Sequence, residues 1–263
     1  MRIAIKIGSN VLTRPDGRLD ISRMASLVDQ IAELHNCGTE VLIISSGAVA
    51  SGRGALPSIR DDSVTSRQLF AAVGQAKLIE HYYNLFQEFG ITVGQILTTK
   101  ENFMDETRMA NQMRCMKAML DNGVVPVINE NDTVSVEELM FTDNDELSGL
   151  VARMMKADVL VILSNVDGVF TGVPGESGSE LIHDVFPDDD YSGCVSSGKS
   201  SYGRGGMMTK MKTASGVALD GIEVRIADGR RQDVLSDVLN NPETALCTRF
   251  HPFKKQNNDR RYS

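Results

Sequence analysis

Lys6 sits at the C-terminal end of a short alternating segment, RIAIKI, which runs at once into Gly8-Ser9-Asn10, a turn whose backbone N–H groups can approach a ligand. A second lysine, Lys210, ends the glycine-rich stretch GRGGMMTK that begins at Gly203. Between them lie two groups of acids and amides. Asn129 to Asp132 closes the apolar run VVPVI, and Asp143 to Glu146 opens the small-residue run LSGLVARMM. Other apolar runs end in Ser45-Ser46-Gly47-Ala48 and in Ser164-Asn165-Val166-Asp167-Gly168. Lysines beside glycine-lined turns suit phosphoryl transfer, whose transition state spreads charge over oxygens and is stabilised mainly by positioning and cations. Each group also has a plainer reading. Asp and Asn before a helix cap its free N–H groups, although capping uses only about one or two side chains per helix end. Gly47 suits a tight turn. No histidine base is evident, because His35, His81, His183 and His251 are scattered over helical or loop segments.

These residues need strand ends to hold them. Segments 2–7, 40–44, 91–97, 124–128, 157–163 and 222–227 read as strands, the last of them as the final clear one. Helical spacing marks the stretch from Asp20 or Ser22 to His35, Ser63 to Glu88, Thr107 to Leu120 and the run MMTKMKTASGVALD. Alternating β and α elements predict an α/β protein with a mainly parallel sheet. Ligands of such sheets bind beyond the carboxyl ends of the strands. Residues 134–141 read as a hairpin and candidate flap, and residues 171–201, rich in Gly, Pro, Ser and Asp, as irregular structure or a lid.

With 263 residues, 41% hydrophobic and 24% charged, the composition is that of an ordinary globular chain, here expected as one domain over 1–253 with a disordered tail over 254–263. No apolar run approaches the roughly 20 residues of a membrane span, and RIAIKI is too short for a signal segment, so the expectation is a cytoplasmic protein. Cys37, Cys115, Cys194 and Cys247 lack metal or redox spacing and read as reduced thiols. The net charge of −8 argues against a nucleic-acid partner, the basic tail notwithstanding. Gly193 to Ser200, GCVSSGKS, meets the P-loop pattern letter for letter. That loop works only between a strand and a helix, and the flanking VFPDDDYS and SYGRGG supply neither.

The motifs KIGSNVLT, SSGAVASG, PVINENDTV, TDNDELSGLVA, LSNVDGVFT and GRGGMMTK together resemble the amino acid kinase superfamily, over residues 1 to about 250. The match is with its branch that phosphorylates the side-chain carboxylate of L-glutamate in proline biosynthesis. The resemblance implies a three-layer αβα sandwich and an enzyme that uses ATP and Mg²⁺. It implies that Lys6 and Lys210 act on the transferring phosphoryl group while Asp145 orients both. Ser46, Gly47, Asp132 and Asn144 become glutamate-binding positions. Gly8, Ser164, Asn165, Arg204, Gly205, Gly206, Met207, Met208 and Thr209, with the two lysines, become nucleotide-binding positions. Arg204 and Met208 stand where the family usually has small residues, and Asn165 where many members carry Asp. Dimers or tetramers inhibited by proline, in a form without the appended C-terminal PUA domain, are further expectations. The competing readings are a superfamily kinase for aspartate, N-acetylglutamate or UMP, and a catalytically silent amino-acid sensor. Asp132 favours a substrate with a free α-ammonium, which N-acetylglutamate and UMP lack.

Overall fold

A computed structural model describes residues 1–134, 143–189 and 206–253. Its main sheet has eight strands in the order β3-β4-β2-β1-β5-β9-β10-β8. The parallel part comprises β1 (Arg2–Ile7), β2 (Glu40–Ser45), β3 (Val93–Thr98), β4 (Val125–Glu130), β5 (Val159–Ser164) and β9 (Glu223–Asp228). Every residue of β4 and β5 is buried, as expected of near-continuous apolar runs inside a parallel sheet covered on both faces. The helices between strands are α2 (Ile21–Asn36), α3 (Ala48–Ala55), α4 (Val64–Gln87), α6 (Glu106–Asp121), α7 (Asn144–Met155) and α8 (Met207–Leu219), with short α5 (Lys100–Met104) and α9 (Val234–Asn240).

Strand alternation sorts the side chains into two cores. Ile3, Ile5, Ile7, Val41, Ile43, Val161 and Leu163 pack with α2, α4 and α9 on one face. Ala4, Leu42, Ile44, Leu160 and Ile162 pack with α6, α7 and α8 on the other. Each fully buried Val, Leu or Ile among them is worth about 1.5–3 kcal/mol. The sheet and its two helical layers form the expected αβα sandwich. By the same alternation Lys6 and Ser46 face the α7 and α8 side, whereas Ser45 faces α4, where its hydroxyl meets Tyr82 Oη at 2.8 Å.

The helix ends follow their sequence signals. Asp20, Ser63 and Asp105 each accept a hydrogen bond from a backbone N–H in the first turn of α2, α4 and α6. Segment 63–88 forms a single helix, α4. Its Gly74 lies against Gly52 of α3 so closely that a Cβ on Gly74 would stand 1.8 Å from the Ala48 carbonyl oxygen, and one on Gly52 would stand 1.9 Å from that of Phe70.

Three sequence expectations are corrected. The Gly8-Ser9-Asn10 turn is the start of a one-turn helix, α1 (Ser9–Leu12), closed by the Val11 N–H on the Gly8 carbonyl at 3.0 Å. Segment 222–227 is not the last strand: β10 (Cys247–Phe250) pairs antiparallel with β9. Its signal is masked by Arg249, which is accommodated by an ion pair to Glu223 at 2.8 Å. The stretch from Thr171 is not wholly irregular, because β6 (Val169–Phe170) pairs with β7 (Leu181–Ile182), and β8 (Asp184–Val185) joins the main sheet through β10. Residues 135–141 of the expected flap, the P-loop-like GCVSSGKS and the tail lie outside the described residues, as does Cys194. Among the described cysteines Cys37, Cys115 and Cys247 are free, and no described helix is long and apolar enough to cross a membrane.

Candidate active site

The parallel strands all end on one side of the molecule, and the residues with candidate chemistry collect there. Lys6, one residue from the end of β1, reaches Asp145 Oδ1 at 2.5 Å, and Lys210 from the first turns of α8 reaches Asp145 Oδ2 at 2.9 Å. The Asp145 side chain is 1% exposed and those of Lys6 and Lys210 6% and 11%. A carboxylate this deep is sustained only by charge and hydrogen bonding. Burial alone would raise its pKa, but the two ammonium groups outweigh that and hold the carboxyl down to about 2. The trio carries one net positive charge, an arrangement suited to an anion. Two helices add to it, because α7 and α8 both begin here and helix N-termini attract negative charge.

Asp143 caps α7, its Oδ1 accepting the N–H groups of Asp145 at 2.9 Å and Glu146 at 3.1 Å. The capping expected of this acid group is therefore present. Its Oδ2 is buried without a hydrogen-bond partner among the described residues. Burial, joined by the charge of Asp145, pushes the Asp143 carboxyl up to about 6, against the opposing pull of the Glu146 N–H, Lys6 and Lys210. The two acids therefore act oppositely on stability. Asp143 binds its proton more tightly folded than unfolded, so its contribution is full below pH 3.8 and is lost as pH rises through about 6. That of Asp145 is present above pH 3.8 and is lost as pH falls toward 2. Asn caps a helix as well as Asp does, so Asp143→Asn should keep the fold and delete one titration. The difference in melting temperature between Asp143→Asn and the parent, measured by thermal denaturation, should shift in the variant's favour between pH 4 and pH 7. A difference that stays constant over that range would refute the assignment.

The amino-acid positions converge beside this trio. The Asn144 side-chain amide donates to Ser46 Oγ at 3.0 Å, to the Ser45 carbonyl at 3.2 Å and to Asn129 Oδ1 at 3.0 Å, sharing its two protons among three acceptors. Gly47 has φ 105°, a left-handed conformation that favours glycine, and turns the chain from β2 into α3. Asp132 stands in the turn after β4, beyond Asn129 at the same end of the sheet. One residue of this group escaped the sequence reading. Gln75 of α4 is buried and accepts the Asn129 Nδ2 hydrogen bond at 2.8 Å. A glutamine on the buried face of a long amphipathic helix was its only signal.

The expected nucleotide positions lie on the other side of Lys6. The Gly8 N–H donates to the Leu163 carbonyl at 3.1 Å, which joins the exits of β1 and β5, and a Cβ there would come within 3.4 Å of Lys6 Nζ. Ser164 is buried at the end of β5 and Asn165 follows in a bend. Gly206 is the N-cap of α8 and supplies no side-chain cap, so the first-turn N–H groups from Met207 to Thr209 are left for another acceptor. Met207 packs into the apolar core and Met208 is exposed. Arg204 and Gly205 lie outside the described residues. Asp228, Arg230 and Arg231, just past β9, border the Ser164 bend. They were missed because ADGRR after the strand reads as an ordinary charged turn. Among the described residues no group of three His, Cys, Asp or Glu side chains could hold a metal ion.

Comparison with known proteins bears on this geometry. Residues 1–228 match the family model described as "Amino acid kinase family". The chain is 58% identical over 252 residues to a glutamate 5-kinase of Bacteroides thetaiotaomicron, covering 95% of this chain and 70% of that protein. A glutamate 5-kinase of Chlorobaculum tepidum is 41% identical over 263 residues, covering 99% and 72%. One of Symbiobacterium thermophilum is 43% identical over 244 residues, covering 92% and 93%.

Proposed function

The chain belongs to the amino acid kinase family, within its glutamate 5-kinases, and on that premise we propose how its residues divide the work. The reaction is ATP-dependent phosphorylation of the side-chain carboxylate of L-glutamate, the first step of proline biosynthesis. The observation that carries the assignment of the chemistry is the buried Lys6–Asp145–Lys210 trio. A glutamate side chain is already ionised at neutral pH and needs no general base to attack. The obstacle is repulsion. Two like charges 4 Å apart repel by about 4 kcal/mol at an effective dielectric of 20, and ATP brings several.

In this reading the two ammonium groups stabilise the charge that builds on the transferring phosphoryl oxygens, and Asp145 fixes both before substrate arrives. Preorganised charge of this kind needs no rearrangement as the reaction proceeds. Ser46, the Gly47 turn and Asn144 bind the amino acid, with Asp132 as partner of its α-ammonium. Gly8, Ser164, Asn165 and the segment from Arg204 to Lys210 bind ATP, the open N-terminus of α8 supporting a phosphate there. Magnesium enters as part of the Mg·ATP substrate, since this ion is usually held by phosphates with one or two carboxylates, and Asp143 Oδ2, buried and without a hydrogen-bond partner among the described residues, fits that need. Bound, it would further offset the repulsion between phosphates and glutamate.

A coupled assay with glutamate and ATP tests the reading. Lys210→Ala should lower kcat by roughly 100-fold or more while glutamate KM changes little, the range found when one transition-state donor is removed. Unchanged turnover would remove Lys210 from the phosphoryl site. The same reading places the kinase domain over residues 1–253 and the enzyme in the cytoplasm. It takes a dimer or tetramer as the assembly and proline as feedback inhibitor. A turnover series over glutamate, aspartate and N-acetylglutamate distinguishes it from the other superfamily kinases, and ATP hydrolysis distinguishes it from a silent sensor.

A further inference from the structure

The bend that leaves β5 is fastened at four points. At its start the Gly229 N–H donates to the Ser164 carbonyl at 2.9 Å. Next, Arg230 Nη2 donates to the Asn165 carbonyl at 2.8 Å. Arg231 Nε then lies 3.7 Å from Asp167 Oδ1. At its end Val169 N–H donates to Thr248 Oγ1 of β10 at 2.7 Å, where Gly168 leaves no room for a Cβ. Arg230 is itself held. Its Nε and Nη2 grip both oxygens of Asp228 at 2.9 and 2.7 Å, and its own N–H adds a bond to Oδ1 at 2.8 Å. Asp228 is buried at the last position of β9, so the fork is anchored in the sheet rather than in a loop. Two adjacent arginines from one strand exit thus reach Asn165 and Asp167 of a neighbouring strand exit. A solvated charged turn would not need that convergence.

We propose that Asp228, Arg230 and Arg231 are positioning residues for the nucleotide: they fix the Ser164–Asp167 bend in the shape that receives ATP. The inference rests on the reading of Ser164 and Asn165 as nucleotide-binding. The planar fork matters because one guanidinium spans Asp228 and the Asn165 carbonyl together, which a point-charge ammonium does not reproduce.

The test measures kcat and both KM values, with melting temperature, for Arg230→Ala, Arg230→Lys, Arg231→Ala and Asn165→Ala. Arg230→Ala should raise ATP KM by about tenfold, the scale of one charged hydrogen bond, with kcat, glutamate KM and melting temperature near those of the parent. Arg230→Lys, which keeps the charge and loses the fork, should leave ATP KM several-fold raised, and Arg231→Ala should raise it less than Arg230→Ala does. Full recovery in Arg230→Lys would make the arginine a long-range attractor and overturn the clamp. Equal rises in both KM values with a lower melting temperature would make it a purely structural contact. If Asn165→Ala raises ATP KM and Arg230→Ala does not, the clamp fails while the nucleotide reading stands. If neither moves ATP KM, the nucleotide reading of the bend fails and the clamp with it.

Discussion

Asp145→Asn should lower kcat by roughly a thousandfold, the upper end of what removal of one preorganised electrostatic group costs. Asparagine keeps the size of the side chain and removes its charge. Lys6 at 2.5 Å and Lys210 at 2.9 Å share that carboxylate, and without it two buried ammonium groups face each other. Their repulsion amounts to about 4 kcal/mol if they stay 4 Å apart at an effective dielectric of 20. One of them must swing away or give up its proton, and either outcome removes a cation from the transferring phosphoryl group. Breaking a buried ion pair by removing one partner also destabilises by about 3–5 kcal/mol. The variant should therefore melt earlier and be stabilised by ATP, whose phosphates supply the missing negative charge. Single-turnover kinetics and melting curves with and without ATP measure both effects. A variant that retained a tenth of the parent kcat would show that Asp145 does not organise the lysines.

Gly74→Ala should cost the fold heavily, as one of the two glycine positions where α3 and α4 leave no room for a Cβ. The new Cβ would lie 1.8 Å from the Ala48 carbonyl oxygen and 2.4 Å from the Gly52 amide nitrogen, both main-chain atoms. Overpacking costs about 1–3 kcal/mol even where side chains can yield. Here two helix backbones must separate, and a loss above about 3 kcal/mol is expected, a fall of at least ~6–12 °C for a chain of this size. The site should suffer with the fold. Ala48 is the first residue of α3 after the Gly47 turn, and Gln75, next to Gly74, holds Asn129. Glutamate KM should rise in whatever folds. Gly54→Ala is the control, since in the same α3 its Cβ would meet only the Arg18 side chain at 3.5 Å and alanine favours helix by about 1 kcal/mol. Similar melting temperatures for Gly74→Ala and the parent would contradict the close approach.

The parallel sheet and the residues at its strand ends were readable because each strand is an apolar run that stops abruptly at small polar residues. Lys6 at such an end met Asn144 and Asp145 from the start of α7 and Lys210 from the first turns of α8. Asp143 and Asp145 looked alike as helix caps. The resemblance had singled out Asp145, and the fold gives the physical difference, putting Asp143 against the N–H groups of α7 and Asp145 between two lysines. What the sequence hid depends on distant contacts. Gln75 acquires meaning from Asn129, 54 positions away, and Arg230 from Asn165, 65 positions away. The strand β10 hid for the same reason, since its Arg249 fits only beside Glu223. No periodicity records such pairings.

The alternation along β1 gives Lys6 its direction, because Ile3, Ile5 and Ile7 occupy the α2 and α4 core while Lys6 takes the opposite parity. Shifting that strand by one residue against β2 would turn an isoleucine toward Asp145 and drive the ammonium into hydrocarbon. A misregistered chain therefore fails on both counts at once, folding poorly and losing its reactive centre. Odd and even positions of this strand act as a two-letter address, and the enzyme's electrostatics help to proofread its own assembly.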